Sequence, residues 1–308
     1  MGTTWQVNLV APDDDAIRDT RVAIVDLLAQ LDRAVFSTWT PDSELSKLNA
    51  SAPGVAHSVS RSMLAVLALA QDIHARSRGA FDISIGPLVN LWGFGPRAVD
   101  GIPGEQAIAD AQARTGLGAL LVDRVAGTVT YEKTLTLDLS GIAKGYAVDA
   151  VADLLLAQGF TDFLVEIGGE LRLQGHAADG SNWVVAIERP QGGMPEAFAR
   201  IDSGGEAIAL AGSGDYRNFR EVDGKRYSHE IDPRTGMPVT HALASVTVIS
   251  DTAAEADAWA TALMVLGPEE GRDVADSEGL AAYFIMRAPA GFDHAYTAAF
   301  ARFAQPAR

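Results

Sequence analysis

The chain has 308 residues, 48% of them hydrophobic, a formal net charge of −16 and no cysteine. Length and composition allow one or two domains with a substantial core, and the lack of cysteine excludes disulfides, thiolate nucleophiles and cysteine-bound zinc. So acidic a surface repels nucleic acid and anionic membranes; a phosphate-bearing ligand would need local compensation from a lysine, helix amides or a divalent cation.

The longest clean apolar run, Met63–Ala70, is far short of the roughly 20 residues that span a membrane. The start, MGTTWQVNLV, has neither a basic region nor an apolar signal core. The chain as written therefore reads as cytoplasmic. With a leader already removed, a periplasmic or membrane-anchored protein would read the same.

Trp5–Val10 reads as a strand, and Asp13–Asp15 open a helix predicted to run to about Ala34, with acids favourably placed at its N-terminus. The next stretch, FSTWTPDSELSKLN, is dense in hydroxyls and holds Trp39 beside a Thr-Pro-Asp turn. An aromatic on a loop can stack on a planar ring, although a lone tryptophan is more often a half-buried anchor. Ser58–Ser77 is a helix capped by Ser58 or Ser60, with Met63, Val66, Leu67, Ala70 and Ile73 facing inward and Gly79 ending it. Gly79–Pro96 is rich in glycine, proline and aromatics. That suits a chain held by fixed turns close to a ligand, or a plain connector.

The rest is organised around Leu135–Asp149, LTLDLSGIAKGYAVD. Leu135, Leu137 and Leu139 alternate with Thr136 and Asp138, which predicts a strand with one buried face. Ser140 and Gly141 break it, and Val148, Val151, Ala152 and Leu155 then recur at helical spacing up to Gly159. Free amides at the helix start carry partial positive charge and Lys144 adds a full one, a seat for a phosphate. The stretch has neither a Walker Gly-Lys-Ser/Thr nor the dinucleotide Gly-x-Gly-x-x-Gly. An ordinary turn with a solvated Lys144 is the competing reading.

Farther on, Phe163–Ile167 and Glu170–Gln174 read as strands around Gly168-Gly169, and Trp183–Glu188 as another. Glu206–Leu210 reads as a strand that gives way to a loop of small and polar residues, Ala211–Phe219. His229 lies three residues before Asp232, with Pro233 and Gly236 fixing the turn beyond. It is a candidate general base, although a lone histidine is more often structural. Ala244–Ser250 is a strand, and Thr252-Ala-Ala-Glu255 fits a capping box for a helix that stops at Gly267. Asp257 and Thr261, four apart, share a face of that helix. A buried carboxylate there needs a partner, either a hard cation with oxygen ligands or a hydrogen bond from a neighbouring strand. With no repeat and no low-complexity linker, the chain is expected to form one α+β unit over residues 1–308, of one or two lobes, with largely antiparallel sheets and packed helices.

In series these segments resemble one family, the ApbE-type FAD:protein FMN transferases. The resemblance spans almost the whole chain. It rests on Met1-Gly2-Thr3, FSTWTPDSELSKLN, GAFDISIGPLVNLWGFG, LDLSGIAKGYAVD, EIGGEL, SGDYRNF, YSHEIDPRTGMPV and ADAWATAL, each weak alone but specific in this order. It implies that Trp39 lies against a flavin and that Met1, Ala80, Phe81, Asp82, Asp138, Lys144 and Ile231 line an FAD site. It implies that Mg²⁺ is held by Asp257, Thr261 and the backbone carbonyl of Gly141. The implied reaction is Mg²⁺-dependent transfer of FMN from FAD to a Thr or Ser hydroxyl of a client flavoprotein, with AMP leaving. His229 would then be the base for that hydroxyl, oriented by Asp232. Clients of this family include flavin-bearing subunits of membrane redox complexes and soluble flavin reductases; neither nucleic acid nor membrane insertion is expected. One alternative keeps the site and changes the acceptor to water, an Mg²⁺-dependent FAD pyrophosphatase giving FMN and AMP; another, of a different class, is a flavin-binding carrier without chemistry.

Overall fold

The computed structural model describes residues 2–11, 13–96, 99, 101–216, 218–222 and 224–305; Met1 lies outside the described residues. The central sheet has seven strands, every neighbouring pair antiparallel. Across it lie Trp5–Leu9, Phe163–Ile167, Glu170–Gln174, Ile208–Gly214, Leu243–Ser250, Ala281–Ala288 and Gly291–Tyr296. Spatial order is thus chain order, and the helices come from the segments between. They are α1 (Asp14–Ala29), α2 (Glu44–Asn49), α3 (Arg61–Arg76), α4 (Gly86–Leu91), α5 (Glu105–Gln112), α6 (Ala143–Ala157) and α7 (Ala253–Ser277).

Side chains of a strand point alternately to its two faces, which divides the core in two. Val165, Ala209, Ala211, Val246, Val248 and Phe284 face the helical side, where Val148 and Val151 of α6 and Trp259 and Leu263 of α7 cover them. Leu173, Ile208, Leu210, Ile249, Tyr283 and Ile285 face the other side. There they pack with Phe300, Phe303 and a smaller sheet of Val184–Glu188, Ala197–Asp202 and Ala304–Gln305. The expected α+β class, with largely antiparallel sheets and packed helices, is what the chain forms.

Four local departures from the sequence reading bear on the site. The first helix continues past Ala29, but Gln30–Phe36 winds as a π-helix rather than an α-helix, keeping Leu31, Val35 and Phe36 all buried. Next, the hydroxyl-rich stretch is not a loop throughout. Ser43 caps α2 by accepting from Ser46 N at 3.0 Å, and the Ser37 hydroxyl accepts from Trp39 N and Thr40 N. The hydroxyls of Ser43 and Ser46 donate to Ser37 O, so they are spent on local structure. Third, the small residues after Leu210 stay in the strand: Gly212, Ser213 and Gly214 pair with Thr247, Val246 and Ser245.

The fourth departure concerns Leu135–Leu139. Its alternation is real, since all three leucines are buried, yet it joins no strand ladder. Its backbone groups are satisfied by other means. Leu137 N donates to Asn49 Oδ1 at 2.7 Å, Asn49 Nδ2 donates to Leu137 O at 2.9 Å, and Asp138 N donates to Ile83 O at 2.7 Å. One side-chain amide thus stands in for a neighbouring strand. An orphaned buried backbone group costs about 1–3 kcal/mol, so Asn49→Ala is expected to destabilise the fold by about 2–5 kcal/mol in urea unfolding.

Helix α7 is broken where the sequence stops it. Gly267 has φ 80° and ψ −173°, Pro268 follows, and a second helical stretch runs on to Ser277.

Candidate active site

A cleft of about 1390 Å³ is lined by Trp39, Phe81, Asp138, Gly141, Lys144, Glu170, His229, Ile231, Asp257 and Thr261, among others. Its floor is built where α6 and α7 meet. Asp149 of α6 caps α7, its two carboxylate oxygens accepting from Ala253 N at 2.9 Å and Ala254 N at 2.8 Å. Gly145 lies so close that a Cβ there would stand 2.2 Å from Ala253 O. The same docking brings Gly145 N to donate to Asp257 Oδ2 at 3.0 Å. The buried Asp257 carboxylate is therefore partnered by a helix N-terminus, not by a strand.

Lys144 is not a solvated surface lysine. Its Nζ is 3.1 Å from Glu170 Oε1 and 3.5 Å from Asp257 Oδ1, and it donates to Ser140 O at 3.1 Å. Burial by itself favours the neutral amine, but the Asp257 and Glu170 carboxylates outweigh it and raise the Lys144 pKa. Glu170 is 3% exposed, and burial, reinforced by Asp257, pushes it up despite Lys144. Its Oε2 has no hydrogen-bond partner.

Gly141 and Thr261 are in close contact: a Cβ at Gly141 would lie 2.9 Å from Thr261 Oγ1 and 3.3 Å from Phe81 Cε2. Thr261 Oγ1 is in turn 3.5 Å from Ser213 Oγ. The three expected cation-holding residues are thus gathered at the α6–α7 junction. Among the described residues, no group of three or more His, Cys, Asp or Glu side chains is arranged to hold a metal.

The other expected ligand-lining residues divide by what occupies their polar atoms. Asp138 Oδ1 accepts from Ser140 N at 2.8 Å, shaping the turn that leads to Gly141. The Asp82 carboxylate is 8% exposed and is spent on its own turn, accepting from Ser84 N at 2.7 Å and Leu117 N at 3.3 Å. Ala80 and Phe81 are buried in the wall, and Phe81 O accepts from His74 Nδ1 at 2.8 Å. Ile231 packs with Leu88, Trp92 and Ala111. Trp39 is 73% exposed, so it is no anchor; its indole stands on the rim with its face available.

His229 reaches the cleft, but Asp232 does not orient it. The chain bends at His229 between two separate strands, and Asp232 accepts instead from Arg234 Nε at 3.0 Å and Nη2 at 2.9 Å. Arg234 continues to Glu270 at 3.0 Å. The ring of His229 is held by its Nδ1–H, donated to Asn218 O at 2.9 Å, and its Nε2 lies 3.4 Å from Glu230 Oε1. With Nδ1 carrying the proton, Nε2 is the basic nitrogen. Glu170, Ser213 and Glu230 carry no role in the sequence reading, although all three lie within the motifs of the family resemblance. The signal available for Glu170 was a lone acid between apolar neighbours immediately after a Gly-Gly bend.

Charges, hydroxyls and a basic nitrogen gathered in one cleft of an α+β frame mark an enzyme rather than a carrier. Sequence comparison specifies which kind. A profile described as the ApbE family matches residues 1–284, and the chain belongs to that family. It is 44% identical over 296 residues to the FAD:protein FMN transferase of Klebsiella pneumoniae (strain 342), covering 95% of this chain and 84% of that one. A protein of the same name from Escherichia coli (strain K12) is 41% identical over 292 residues, covering 93% and 82%. Among solved structures, the flavin transferase ApbE from Vibrio cholerae has a TM-score of 0.88 at 38% identity, covering 98% of this chain and 96% of that one. The apo form of the Pseudomonas stutzeri flavinyl transferase ApbE also scores 0.88, at 40% identity, covering 98% and 94%.

Proposed function

We propose that this protein transfers FMN from FAD to a Thr or Ser hydroxyl of a client flavoprotein and releases AMP. The observation that carries the reading is the composition of the cleft, where Lys144 and the Asp257–Thr261 face of α7 share one space with His229. Family relatives named for this transfer support it. The client is proposed to be a flavin-bearing subunit of a membrane redox complex or a soluble flavin reductase. Among the described residues no helix is long and apolar enough to cross a membrane.

In the transfer, the acceptor oxygen forms a bond to the riboflavin-side phosphorus, the bond from that phosphorus to the bridging oxygen breaks, and AMP leaves with that oxygen. His229 Nε2 takes the hydroxyl proton. Lys144 supplies a fixed positive charge for the pyrophosphate, held in place by Glu170 and Asp257. Asp257, Thr261 and the Gly141 carbonyl offer oxygen donors only. That suits Mg²⁺, which takes its remaining ligands from water and substrate phosphates. When bound, Mg²⁺ would neutralise and polarise the phosphates.

The test is incubation with FAD and Mg²⁺, with and without candidate flavoproteins, followed by AMP assay and in-gel flavin fluorescence. AMP release accompanied by a fluorescent client band is expected. AMP without any labelled client would make water the acceptor and the protein a pyrophosphatase; flavin bound with no AMP released would make it a carrier.

The rim tryptophan gives a separate expectation. An aromatic pair contributes about 0.5–1.5 kcal/mol, so Trp39→Ala should weaken FAD binding several-fold in a fluorescence titration. Because Trp39 is exposed, its unfolding midpoint should not move. Unchanged FAD affinity would remove Trp39 from the flavin seat.

A further inference from the structure

The cleft that holds Lys144 and His229 is a large one. At about 1390 Å³ it exceeds the roughly 300–1,000 Å³ typical of small-molecule sites. Part of it runs along one strand. Val185, Ala186, Ile187 and Glu188, four consecutive residues, all line it. The strand is the outermost of its three-stranded sheet, so one of its edges is turned away from the ladder.

That edge is open. Val184–Glu188 pairs with Ala197–Asp202 on one side, and among the described residues no strand pairs with it on the other. The ladder tells which backbone groups face outward. Ser203 N donates to Trp183 O at 3.0 Å. Directly opposed residues of an antiparallel ladder alternate between bonded and unbonded pairs. From this start, Val185/Ile201 and Ile187/Ala199 are bonded pairs, while Val184/Asp202 and Ala186/Arg200 are not. The N–H and C=O groups of Val184 and Ala186 therefore point away from the ladder, and both residues are exposed. Leu171 and Val185, both half-buried, give the groove an apolar wall continuous with the cleft of Lys144 and His229.

We propose that the acceptor protein enters as an extended segment that adds as a strand to the Val184–Glu188 edge, presenting its Thr or Ser hydroxyl to the cleft. The inference rests on the flavin-transfer reading and names how its second substrate is held. Main-chain hydrogen bonds to Val184 and Ala186 give affinity, and alternate side chains of the segment, apolar ones, lie toward Leu171 and Val185. Recognition by backbone also means that the acceptor must be locally unfolded or looped out at its hydroxyl.

The experiment uses the full chain with FAD, Mg²⁺ and immobilised short synthetic peptides, each with one central Thr and varied flanks, read by flavin fluorescence. Active peptides are remade with N-methyl groups on alternate backbone amides. Ala186→Pro is the matching change on the protein: it removes an N–H that the ladder does not use, in an edge position where proline is tolerated. Losing such bonds should raise the acceptor KM about tenfold or more with the FAD dissociation constant unaltered. N-methylation in one of the two alternating registers should abolish labelling. If Ala186→Pro fails to fold, the methylated peptides decide alone with the native protein. Native acceptor KM in a folded Ala186→Pro, or full labelling of peptides methylated in both registers, overturns the strand addition. So does labelling of a folded flavoprotein but of no peptide. No AMP release with any acceptor would overturn the transfer reading itself.

Discussion

The Asp257→Asn protein is expected to lose FMN transfer by on the order of 10³-fold. The side chain keeps its volume and an oxygen to accept from Gly145 N, a bond of 3.0 Å in the native protein. Lys144 keeps Glu170 at 3.1 Å. What disappears is the negative charge that would hold the cation. Metal stabilisation of a phosphoryl-transfer transition state contributes several kcal/mol, and each 1.36 kcal/mol is about tenfold in rate. Transfer assayed across an Mg²⁺ titration should show a weakened metal affinity with partial rescue at high Mg²⁺, while the fold stays intact by circular dichroism. EDTA should silence the native protein. Thr261→Ala should be milder, because water can replace a hydroxyl ligand. An Asp257→Asn protein working at native rate in ordinary Mg²⁺ would take this carboxylate out of the cation site.

His229→Ala carries the second large effect. General-base assistance is typically worth about 10²–10⁴ in rate, so transfer should slow at least a hundredfold while FAD and Mg²⁺ bind nearly as before. Asp232→Asn provides the contrast. Its carboxylate serves Arg234 rather than the ring, so that variant should transfer FMN at close to the native rate. Near-native flavinylation by His229→Ala would show that proton removal is late and that positioning dominates, as a loose transition state allows.

Long-period patterns were legible in the sequence and cross-chain substitutions were not. The strands Phe163–Ile167 and Glu170–Gln174 and the break at Gly267 follow from alternation, bends and a glycine–proline pair, all local. Leu135–Leu139 shows the limit. Its alternation correctly gives which side is buried, but Asn49, far away in the chain, supplies the hydrogen bonds that a strand would have supplied. The site divides in the same way. Asp257 and Thr261 share a helix face and could be paired from spacing, and Lys144 announced itself at a helix start. The pairing of Lys144 with Glu170 joins a helix to a strand and exists only after folding. His229 and Asp232 mislead for the opposite reason: they are close in sequence, but the chain bends at His229 and Arg234 takes the Asp232 carboxylate.

The winding of Gln30–Phe36 has a consequence for how this protein can change. A π-turn is an α-helix carrying surplus residues, and such segments are frequent at functional sites. One residue of α-helix corresponds to about 100° of rotation. Deleting a single residue from this segment would let α1 continue as regular α-helix, a gain in local regularity, but would swing the chain that follows by about a quarter turn or more. Phe36 would leave its seat against Tyr146, where the rings meet edge to face at 5.5 Å, and Trp39 would be aimed away from the cleft. The aromatic rim is thus set by phase: insertions and deletions upstream of it are not neutral even where every side chain in the segment is exchangeable, and the more regular helix would be the less competent one.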